Sequence, residues 1–381
     1  MKIAVVKRRY SLRHGGSERY CVNLSRRLIA LGHDVTVIGV RIDEELQNEV
    51  GFVPVRVNNL TSWSSNQSFA EGCGRAVRDG RFDIVYGLGR AFGLDAVRVT
   101  DRLQSHWLSV YYRNRINRRL QSWNPRHRTL IGLERRIYRS DSVRRIVAQS
   151  QLDRRLVIEH YRINEDKIRV VYNGVDTEVF HPGVRADAEQ VRRGLGVPMN
   201  VPLVVYASMD FKGKGLRSTF QALKTTKHRE AWLLVLGTGP VRQFARIARD
   251  MGISDRVIFG GHRSNIQQYY GAGDLFVLPS TYEPFPNVNL EAMACGLPVL
   301  TTATTGGAEV IVEGTNGYLI PHVNAVEEMV ARLDHHLGLP ATQRAAMSEG
   351  CWSTAQQMTV EKNVRKTLDV FEEVLLEKFR V

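Results

Sequence analysis

Residues 274–302 read DLFVLPSTYEPFPNVNLEAMACGLPVLTT and contain a complete strand–loop–helix–strand pattern. The apolar runs DLFVLPS and PVLTT predict two buried strands. Between them, Pro284 and Pro286 restrict the loop backbone, and a helix of small and apolar residues is expected to begin near Asn287. Because strands joined through a helix pair in parallel, this stretch predicts an α/β protein with a parallel sheet.

The same alternation of strands and helices runs through the rest of the chain in two halves. A strand at 3–6 is followed by a loop, a helix with apolar residues at helical spacing, and the strand VTVIGV. The second half restarts with the strand PLVVYAS (202–208) and continues with WLLVLG, RVIFGG, DLFVLPS, PVLTT and GYLIP. Each half therefore predicts a doubly wound sheet with helices on both faces.

Two domains are expected because 381 residues are more than one hydrophobic core usually accommodates. His181-Pro182-Gly183 interrupts the alternation and places the boundary near residue 182. The predicted domains are therefore 1–181 and 182–356. The final helix, 357–381, is amphipathic and is expected to pack back on the first domain.

The charge of the chain is unevenly distributed. Lys and Arg number 53 against 39 Asp and Glu, a net charge of +14, and residues 98–170 alone hold 18 basic against 7 acidic side chains. Such a segment attracts a polyanion, so nucleic acid, an acidic membrane surface and an anionic substrate are candidate partners; a solvated face without a partner is the alternative.

Other features of composition favour a protein of the reducing cytoplasm. The four cysteines are scattered without the spacing of a disulfide framework or a zinc site. No apolar run approaches the roughly 20 residues that span a bilayer. The opening MKIAVVKRRY is interpreted as a first strand, because its apolar core is too short for a signal peptide.

Two glycine-containing loops are candidates for anion binding, because ligands of open α/β sheets bind beyond the carboxyl ends of the strands. Gly15 and Gly16 would let the backbone approach an anion at a helix N-terminus, although such pairs also occur in plain turns. Lys212 and Lys214 lie beside glycines in DFKGKG and can reach a diphosphate, or can belong to a solvated turn. Neither loop has the Walker A or the G-x-G-x-x-G spacing, which disfavours a nicotinamide dehydrogenase.

The third candidate loop is TYEPFPNVNLEAMACG, at 281–296, with Glu283 and Glu291 eight positions apart. The amides at the start of its helix would face the crevice and bind an anion. Only part of the interval between the glutamates is helical, so the two carboxylates need not share a face. The alternative is an ordinary helix whose first-turn glutamate complements the helix dipole.

The run PSTYEPFPNVNLEAMACGLPVLTT resembles the signature of glycosyltransferase family 4, in which seven residues separate two glutamates. Segments along nearly the whole chain agree with that family: GGSERYCVNLSRRLIALGHDVTVIG, YNGVDTEVFHP, KGLRSTFQAL and TTGGAEVIVEGTNGYLI. Within the family, the chain is most similar to the lipopolysaccharide core glucosyltransferase I group, on the segments GLDAVRVTD, WNPRHRTLIGLERRIY and MDFKGKG.

The resemblance implies a GT-B fold, in which two Rossmann-like, doubly wound α/β domains face each other across a cleft. It implies a retaining hexosyltransferase that needs no metal and no cofactor, with a nucleoside diphosphate sugar, UDP-glucose, as a substrate. The implied acceptor is a lipopolysaccharide core or a related lipid-linked or polyanionic bacterial glycan. The alternative hypotheses are a nucleic-acid-binding protein and a sugar-nucleotide epimerase. Nucleic acid is not expected as a partner.

The resemblance also assigns roles to individual residues. Lys214, helped by Lys212, would neutralise the diphosphate as the leaving group departs. Glu291 is expected on the nucleotide ribose and Glu283 beside the donor sugar, and Asp101 matches an acidic position that faces donor sugar and acceptor. Asp101, Lys214 and Glu283 thus form the expected catalytic set. The other donor-binding residues are Gly15, Gly16, Phe285, Asn287 and Val288.

The chain departs from the family pattern at two positions. The group usually has an arginine directly before the lysine of the phosphate loop, where this chain has Gly213, and Lys212 is the candidate to compensate. The group also tends to place a histidine closer to the aspartate than His106 stands to Asp101. His106 is therefore an acceptor-side candidate, with packing beside Trp107 as the alternative.

The basic segment has a second interpretation beside acceptor binding. WLSVYYRNRINRRLQSW, at 107–123, mixes aromatic and aliphatic residues with arginines, a composition typical of helices that lie at an anionic membrane surface. Packing of its aromatic residues into the first domain is the alternative. The membrane interpretation predicts a peripheral protein on the cytoplasmic face of the inner membrane.

Overall fold

The computed structural model describes residues 1–13, 15–112 and 114–379. The chain divides into two compact units, one formed by Met1–Asn173 with the C-terminal segment from Val360, the other by Gly174–Thr359. The boundary expected near residue 182 lies several residues beyond this junction. The intervening residues belong to the second unit because the amide of Val175 donates to the carbonyl of Met358 at 2.9 Å.

Among its described residues, the first unit contains nine strands: β1 (Lys2–Val6), β2 (Arg9–Tyr10), β3 (Asp34–Gly39), β4 (Arg41–Ile42), β5 (Gly51–Pro54), β6 (Ile84–Gly87), β7 (Ala96–Arg98), β8 (Arg145–Ala148) and β9 (Ile168–Val170). Seven of them form a parallel sheet in the order β5-β3-β1-β6-β7-β8-β9, and β2 pairs with β4. The helices between them are α1 (Gly16–Ala30), α2 (Ser62–Asp79), α3 (Gln104–Tyr111), α4 (Arg115–Ser122), α5 (Pro125–Tyr138) and α6 (Gln151–Tyr161).

The second unit contains six strands: β10 (Leu203–Ala207), β11 (Trp232–Leu236), β12 (Val257–Gly261), β13 (Leu275–Leu278), β14 (Val299–Thr302) and β15 (Gly317–Ile320). They form one parallel sheet in the order β12-β11-β10-β13-β14-β15. Its helices are α7 (Ala188–Leu195), α8 (Leu216–Thr225), α9 (Val241–Asp250), α10 (Ile266–Gly271), α11 (Asn287–Ala294), α12 (Val326–Leu337) and α13 (Ala341–Gln357). Short 3-10 helices span Glu44–Leu46, Glu165–Lys167, Pro182–Asp187, Ser254–Arg256 and Gly306–Val310.

The last helix, α14 (Val360–Phe379), belongs to the first unit. The ring of Phe371 packs edge-on against Tyr86 of β6 at 5.0 Å, and Glu361 pairs with Arg27 of α1 at 2.8 Å. The helix begins later than the predicted residue 357, because α13 still includes that position. Residues 380 and 381, which the prediction included, lie outside the described residues.

Both units have the predicted α/β architecture of a doubly wound parallel sheet, so the predicted fold class is confirmed. In each sheet the strand order reverses once: between β1 and β6 in the first unit, and between β10 and β13 in the second. Loops that leave adjacent strands at such a switch point diverge and open a crevice for a ligand. In the part of the chain that the structure describes, no helix is long and apolar enough to cross a bilayer.

Candidate functional site

The loop after β10 forms a tight turn in front of α8. The carboxylate of Asp210 accepts a hydrogen bond from the amide of Gly213 at 2.9 Å, which closes the loop on itself. Gly215 adopts φ +75° at the N-cap of α8, a left-handed conformation that favours glycine. Lys212 is exposed and Lys214 is half-buried. The turn therefore presents two ammonium groups at the carboxyl edge of the second sheet.

The loop after β13 leads into α11, as the two prolines predict. Pro286 is the N-cap of α11 and has no side-chain acceptor for the first amides, which include those of Asn287 and Val288. The side chain of Phe285 is buried and anchors this loop in the interior of the second unit. The start of α11 thus offers backbone donors and the positive end of a helix dipole at the same edge as the two lysines.

Direct contacts join these two loops. Nζ of Lys214 lies 2.6 Å from Oε2 of Glu283, and both side chains are largely shielded from solvent. The amide of Thr281 donates to the carbonyl of Gly213 at 3.0 Å. Lys214 and Glu283, the first glutamate of the signature, therefore lie together at the switch point of the second sheet.

A third loop, after β14, completes this edge. The backbone of Glu283 bridges to Thr305, and its carbonyl accepts from the amide of Gly306 at 3.0 Å. A Cβ at Gly307 would come within 2.9 Å of the ring of Pro286, so the glycine lets this turn press against the start of α11. Sequence reasoning noted TTGGAE only as part of the family resemblance and assigned no residue of it to the site.

The two glutamates of the signature are placed differently. Glu291 lies about one turn into α11 and is buried, and the hydroxyl of Tyr270 donates to its Oε2 at 3.5 Å. Glu283 precedes the helix and contacts Lys214 instead. The expectation that the two carboxylates need not share a face agrees with this arrangement.

In the first unit, Gly15 and Gly16 stand at the start of α1, after β1. Gly15 is the N-cap with φ −61°, and no side chain caps the helix. Lys7 directly follows β1 and is buried below this turn, where its Nζ donates to Oγ of Ser17 at 2.8 Å and lies 3.5 Å from Oε1 of Glu18. Sequence reasoning missed Lys7; its position directly after a buried strand was the available signal.

Asp101 lies in the loop after β7, and its carboxylate is half-exposed. Nη1 of Arg90 donates to its Oδ2 at 2.8 Å. Surrounding protein removes water and would raise the pKa of Asp101, but the charges of Arg90 and Lys7 outweigh this effect and hold the pKa below its usual value. The Asp101 carboxylate is therefore ionised at neutral pH.

His106 lies on α3, with its Nδ1 3.4 Å from Nε2 of His160. Burial, together with the neighbouring His160, lowers the pKa of His106 to about 4, so the imidazole is neutral at neutral pH. Trp107 stacks on Tyr111 at 4.5 Å, and the guanidinium of Arg102 lies 4.4 Å from the Trp107 ring centroid. These contacts agree with packing of the α3 aromatic residues against their neighbours.

No group of three or more His, Cys, Asp or Glu side chains is arranged to hold a metal ion within residues 1–13, 15–112 and 114–379. The four cysteines are all buried and unbridged. The described groups at the candidate site are ammonium and carboxylate side chains, together with the backbone amides at the start of α11. Such groups bind a phosphorylated, hydroxylated ligand through charge and hydrogen bonds.

Two family models match the chain, one for each half. The model for glycosyltransferase family 4 matches residues 14–179, and the model for group 1 glycosyl transferases matches residues 187–350. The chain belongs to glycosyltransferase family 4.

Among curated relatives, an uncharacterized glycosyltransferase of Methanocaldococcus jannaschii is 26% identical over 83% of this chain and 84% of its own length. A D-inositol 3-phosphate glycosyltransferase of Xylanimonas cellulosilytica is 33% identical over 50% of this chain, and the match spans only 47% of that protein. The family is thus shared along most of the chain, whereas the similarity to the second relative is limited to about half of it.

Solved structures show the same GT-B fold. WaaG, a glycosyltransferase involved in lipopolysaccharide biosynthesis, superposes with a TM-score of 0.82 at 22% identity and covers 97% of this chain and 99% of its own. Sucrose-phosphate synthase of Thermosynechococcus elongatus gives 0.81 at 20% identity over 99% of both chains. HepE of Anabaena, in complex with UDP and glucose, gives 0.75 at 20% identity over 98% of this chain and 99% of that one. These likenesses establish the GT-B fold.

Proposed function

We propose that the protein is a retaining hexosyltransferase that moves glucose from UDP-glucose to a hydroxyl group of a lipopolysaccharide core or a related bacterial glycan. The observation that carries this proposal is the convergence of Lys214, Glu283 and the start of α11 at one edge of the second sheet. A cation, a carboxylate and the backbone amides at a helix N-terminus together suit a sugar attached to a diphosphate.

The proposed donor site lies on the second unit. Lys214 neutralises the charge that develops on the diphosphate as the sugar leaves, and exposed Lys212 adds a second cation. Glu291 accepts hydrogen bonds from the ribose hydroxyls, and Glu283 orients the donor sugar. Phe285, Asn287 and Val288 hold the phosphates and sugar through the loop backbone and the first amides of α11.

Residues of the first unit have proposed roles of their own. The backbone amides of Gly15 and Gly16, at the start of α1, are proposed to bind a phosphate group of the donor. Asp101, ionised at neutral pH, accepts a hydrogen bond from a hydroxyl group of the donor sugar or of the acceptor other than the one that attacks. His106 is neutral at neutral pH, so its proposed acceptor-side role is hydrogen bonding rather than charge.

The proposed chemistry requires neither a nucleophilic side chain nor a metal ion. The acceptor oxygen attacks the anomeric carbon from the side of the departing phosphate, so the configuration at that carbon is retained. The bond between the anomeric carbon and the phosphate oxygen breaks, and the released phosphate oxygen takes the proton of the acceptor hydroxyl. Lys214 stabilises the negative charge before that proton arrives.

The choice of UDP-glucose and of a lipopolysaccharide acceptor is supported by resemblance. HepE has been solved with UDP and glucose, and WaaG is involved in lipopolysaccharide biosynthesis. The segment similarity of this chain to the core glucosyltransferase I group points in the same direction. GDP- and ADP-sugars share the diphosphate and the ribose, so the donor base is the least constrained part of the proposal.

We also propose that the first unit lies on an anionic membrane surface through α4. Ile116, Leu120 and Trp123 recur at helical spacing, and they are 70%, 66% and 72% exposed. Residues 102–133 contain seven arginines and no Asp or Glu. An exposed apolar stripe flanked only by positive charge suits a helix that lies in the interface of anionic lipid, on the cytoplasmic face of the inner membrane. Arg113, within the predicted segment, lies outside the described residues.

The transfer proposal is tested by a thermal-shift screen over UDP, GDP, ADP and their glucose conjugates. UDP and UDP-glucose are expected to raise the melting temperature most, because a ligand that binds only the folded protein stabilises it by mass action. Transfer from UDP-glucose to lipopolysaccharide truncated before its first core hexose is then followed by NMR of the product. An inverted anomeric configuration would contradict the retaining mechanism, and a shift only with GDP or ADP would replace the donor.

A further inference from the structure

Arg90 binds two carboxylates at the carboxyl edge of the first sheet, although neither the sequence pattern nor the family signature points to it. It lies in the loop after β6, and Asp101 lies in the loop after the adjacent strand β7. Nη1 of Arg90 donates to Oδ2 of Asp101 at 2.8 Å. Nε and Nη2 donate to Oε1 of Glu134, at 3.0 and 2.6 Å, and Nη2 also donates to the carbonyl of Arg102 at 3.1 Å.

The two carboxylates differ in their access to solvent. The side chain of Glu134 is 1% exposed, that of Arg90 is 18% exposed and that of Asp101 is 48% exposed. Glu134 is held in turn by the amide of Gln104, at 3.1 Å, and by the hydroxyl of Tyr161. The guanidinium of Arg90 is therefore anchored by the buried Glu134, and its other edge donates to the more exposed carboxylate of Asp101.

We propose that Arg90 is a positioning residue for the glycosyl transfer: it holds the Asp101 carboxylate in one orientation, while Glu134 fixes Arg90 from the buried side. The inference rests on the proposed role of Asp101 towards the donor sugar or the acceptor. A planar guanidinium donates in fixed directions, so it constrains where a carboxylate can point more strongly than a lysine ammonium does.

The charges around Asp101 agree with this role. Two cations act on its carboxylate: Arg90, from the loop after β6, and Lys7, from the end of β1. Both lower the pKa of Asp101 against the opposing effect of burial. Loss of Arg90 leaves only Lys7, so the pKa of Asp101 rises and its orientation is released. Both changes act on the acceptor side and leave donor binding to the second unit unchanged.

The experiment is a double-mutant cycle on the full chain with UDP-glucose and the truncated lipopolysaccharide. Arg90→Met leaves the buried Glu134 carboxylate without its cation, which destabilises a fold, so the cycle uses Arg90→Met combined with Glu134→Gln. This variant is compared with Glu134→Gln alone, each with and without Asp101→Asn. Arg90→Lys is the conservative variant that keeps the charge but not the planar fork.

The expected loss of kcat on replacing Arg90 by Met is about 30-fold with Asp101 present and less than about 3-fold with Asp101→Asn, because residues that act through one another are not additive. The KM for UDP-glucose stays within about twofold. The acid limb of the kcat profile moves to higher pH, since Asp101 then ionises later. Arg90→Lys keeps that limb in place and recovers part of kcat.

Equal losses in both Asp101 backgrounds, or a loss that appears in the KM for UDP-glucose, overturn the inference. The inference is also overturned if the acid limb of the kcat–pH profile does not move when Arg90 is replaced by Met. A wild-type protein that binds UDP-glucose but glucosylates no truncated lipopolysaccharide overturns the proposed acceptor instead. In that case the cycle is measured by the rate of the slow hydrolysis of UDP-glucose. If replacing Arg90 lowers that rate equally in the Asp101→Asn background, the inference is overturned.

Discussion

Nζ of Lys214 lies 2.6 Å from Oε2 of Glu283, so an ion pair joins the loops that leave β10 and β13 on either side of the switch point. Both groups were expected at the site for separate reasons, the lysine for phosphate and the glutamate for the sugar. Their contact means that each sets the electrostatic environment of the other. A diphosphate that binds Lys214 competes with Glu283 for the same ammonium group.

This pair makes the effect of Lys214→Met depend on Glu283. The single variant is expected to lower kcat about 100-fold or more, the size of effect seen when one preorganised charge-stabilising donor is removed. It also leaves the Glu283 carboxylate facing the diphosphate, which weakens UDP binding further. The double variant Lys214→Met with Glu283→Gln should therefore bind UDP more tightly than Lys214→Met alone, as measured by calorimetry.

Lys224→Met, which removes an exposed lysine from the far end of α8, is the matched control for net charge. It is expected to leave both UDP affinity and kcat near the wild-type values. Weaker UDP binding by the double variant than by the single one would show that Glu283 does not repel the ligand.

Substitutions of the two glutamates of the signature are expected to have different effects on UDP binding. Glu291→Gln should raise the Kd for UDP roughly 10-fold, because a hydrogen bond to a charged group contributes about 1.5–3 kcal/mol. Glu283→Gln should not raise the Kd for UDP, because Glu283 then no longer competes for the ammonium group of Lys214, and it should lower kcat, because its proposed partner is the sugar. Calorimetry with UDP, against kinetics with UDP-glucose, distinguishes them; equal losses of UDP affinity would contradict the division of roles.

The backbone of the phosphate loop gives a stability prediction. Gly215 and Gly196 have nearly the same φ, +75° and +72°, but a Cβ at Gly215 would lie 2.4 Å from the carbonyl oxygen of Pro279, whereas Gly196 faces open space. Both alanine variants carry the left-handed backbone cost of about 1–2 kcal/mol. Gly215→Ala adds a clash, so its melting temperature should fall several degrees further, since about 1 kcal/mol corresponds to roughly 2–4 °C in a unit of this size.

Calorimetric scans of the two alanine variants check this difference, with circular dichroism to confirm that both fold. The comparison is internal to the second unit, because Gly215 and Gly196 both belong to it. Equal melting temperatures would mean that the loop after β13 moves aside without cost.

His106 gives a pH prediction. Its pKa is lowered to about 4 in the folded protein, chiefly by burial, from an ordinary value of 6.5. The unfolded chain therefore binds more protons between these values, so folding stability falls as the pH drops from 6.5 towards 4. His106→Gln removes this contribution, and its melting temperature relative to wild type should become more favourable from pH 7.5 to pH 5. A difference that does not vary with pH would contradict the lowered pKa.

The α4 surface predicts binding to anionic vesicles. Replacing Ile116, Leu120 and Trp123 together by serine should lower partitioning onto phosphatidylglycerol vesicles at least about 10-fold, because each side chain loses apolar area that lipid would cover. Binding of the wild type should weaken as salt rises. Sedimentation with anionic and neutral vesicles measures both effects.

Leu60 and Trp63, which are 87% and 46% exposed at the start of α2, provide the matched control. Their replacement by serine removes exposed apolar area of the same kind outside the arginine-rich segment and should not change vesicle binding. Binding to neutral vesicles as strong as to anionic ones would reject the membrane proposal.

The short elements show where sequence reasoning was weaker. The strands of the second unit were all anticipated, because each is an apolar run bounded by turn residues. Strands β2, β4, β5 and β7 of the first unit were not singled out, and β2 and β4 have only two residues each. β7 has only three residues, and β5 is an edge strand that carries Pro54, so neither has the length or pattern of a buried strand.

The sequence described the basic segment by composition alone, as a mixture of aromatic residues and arginines across 107–123. The structure has two helices there, α3 and α4, on either side of residue 113, which lies outside the described part. The α3 aromatic residues contact their neighbours, whereas the apolar side chains of α4 face solvent. Composition gives the proportion of apolar and basic residues, and only packing decides which of them remain exposed.

By itself, the sequence determined the fold class, the family and the loops that carry the candidate site, because apolar periodicity, glycines, prolines and the two spaced glutamates act locally along the chain. Tertiary structure alone decided which charges meet. The pairing of Lys214 with Glu283, and of Arg90 with Asp101 and Glu134, joins residues from different loops. Sheet order brings such loops together, and no local pattern of residues records which strands become neighbours.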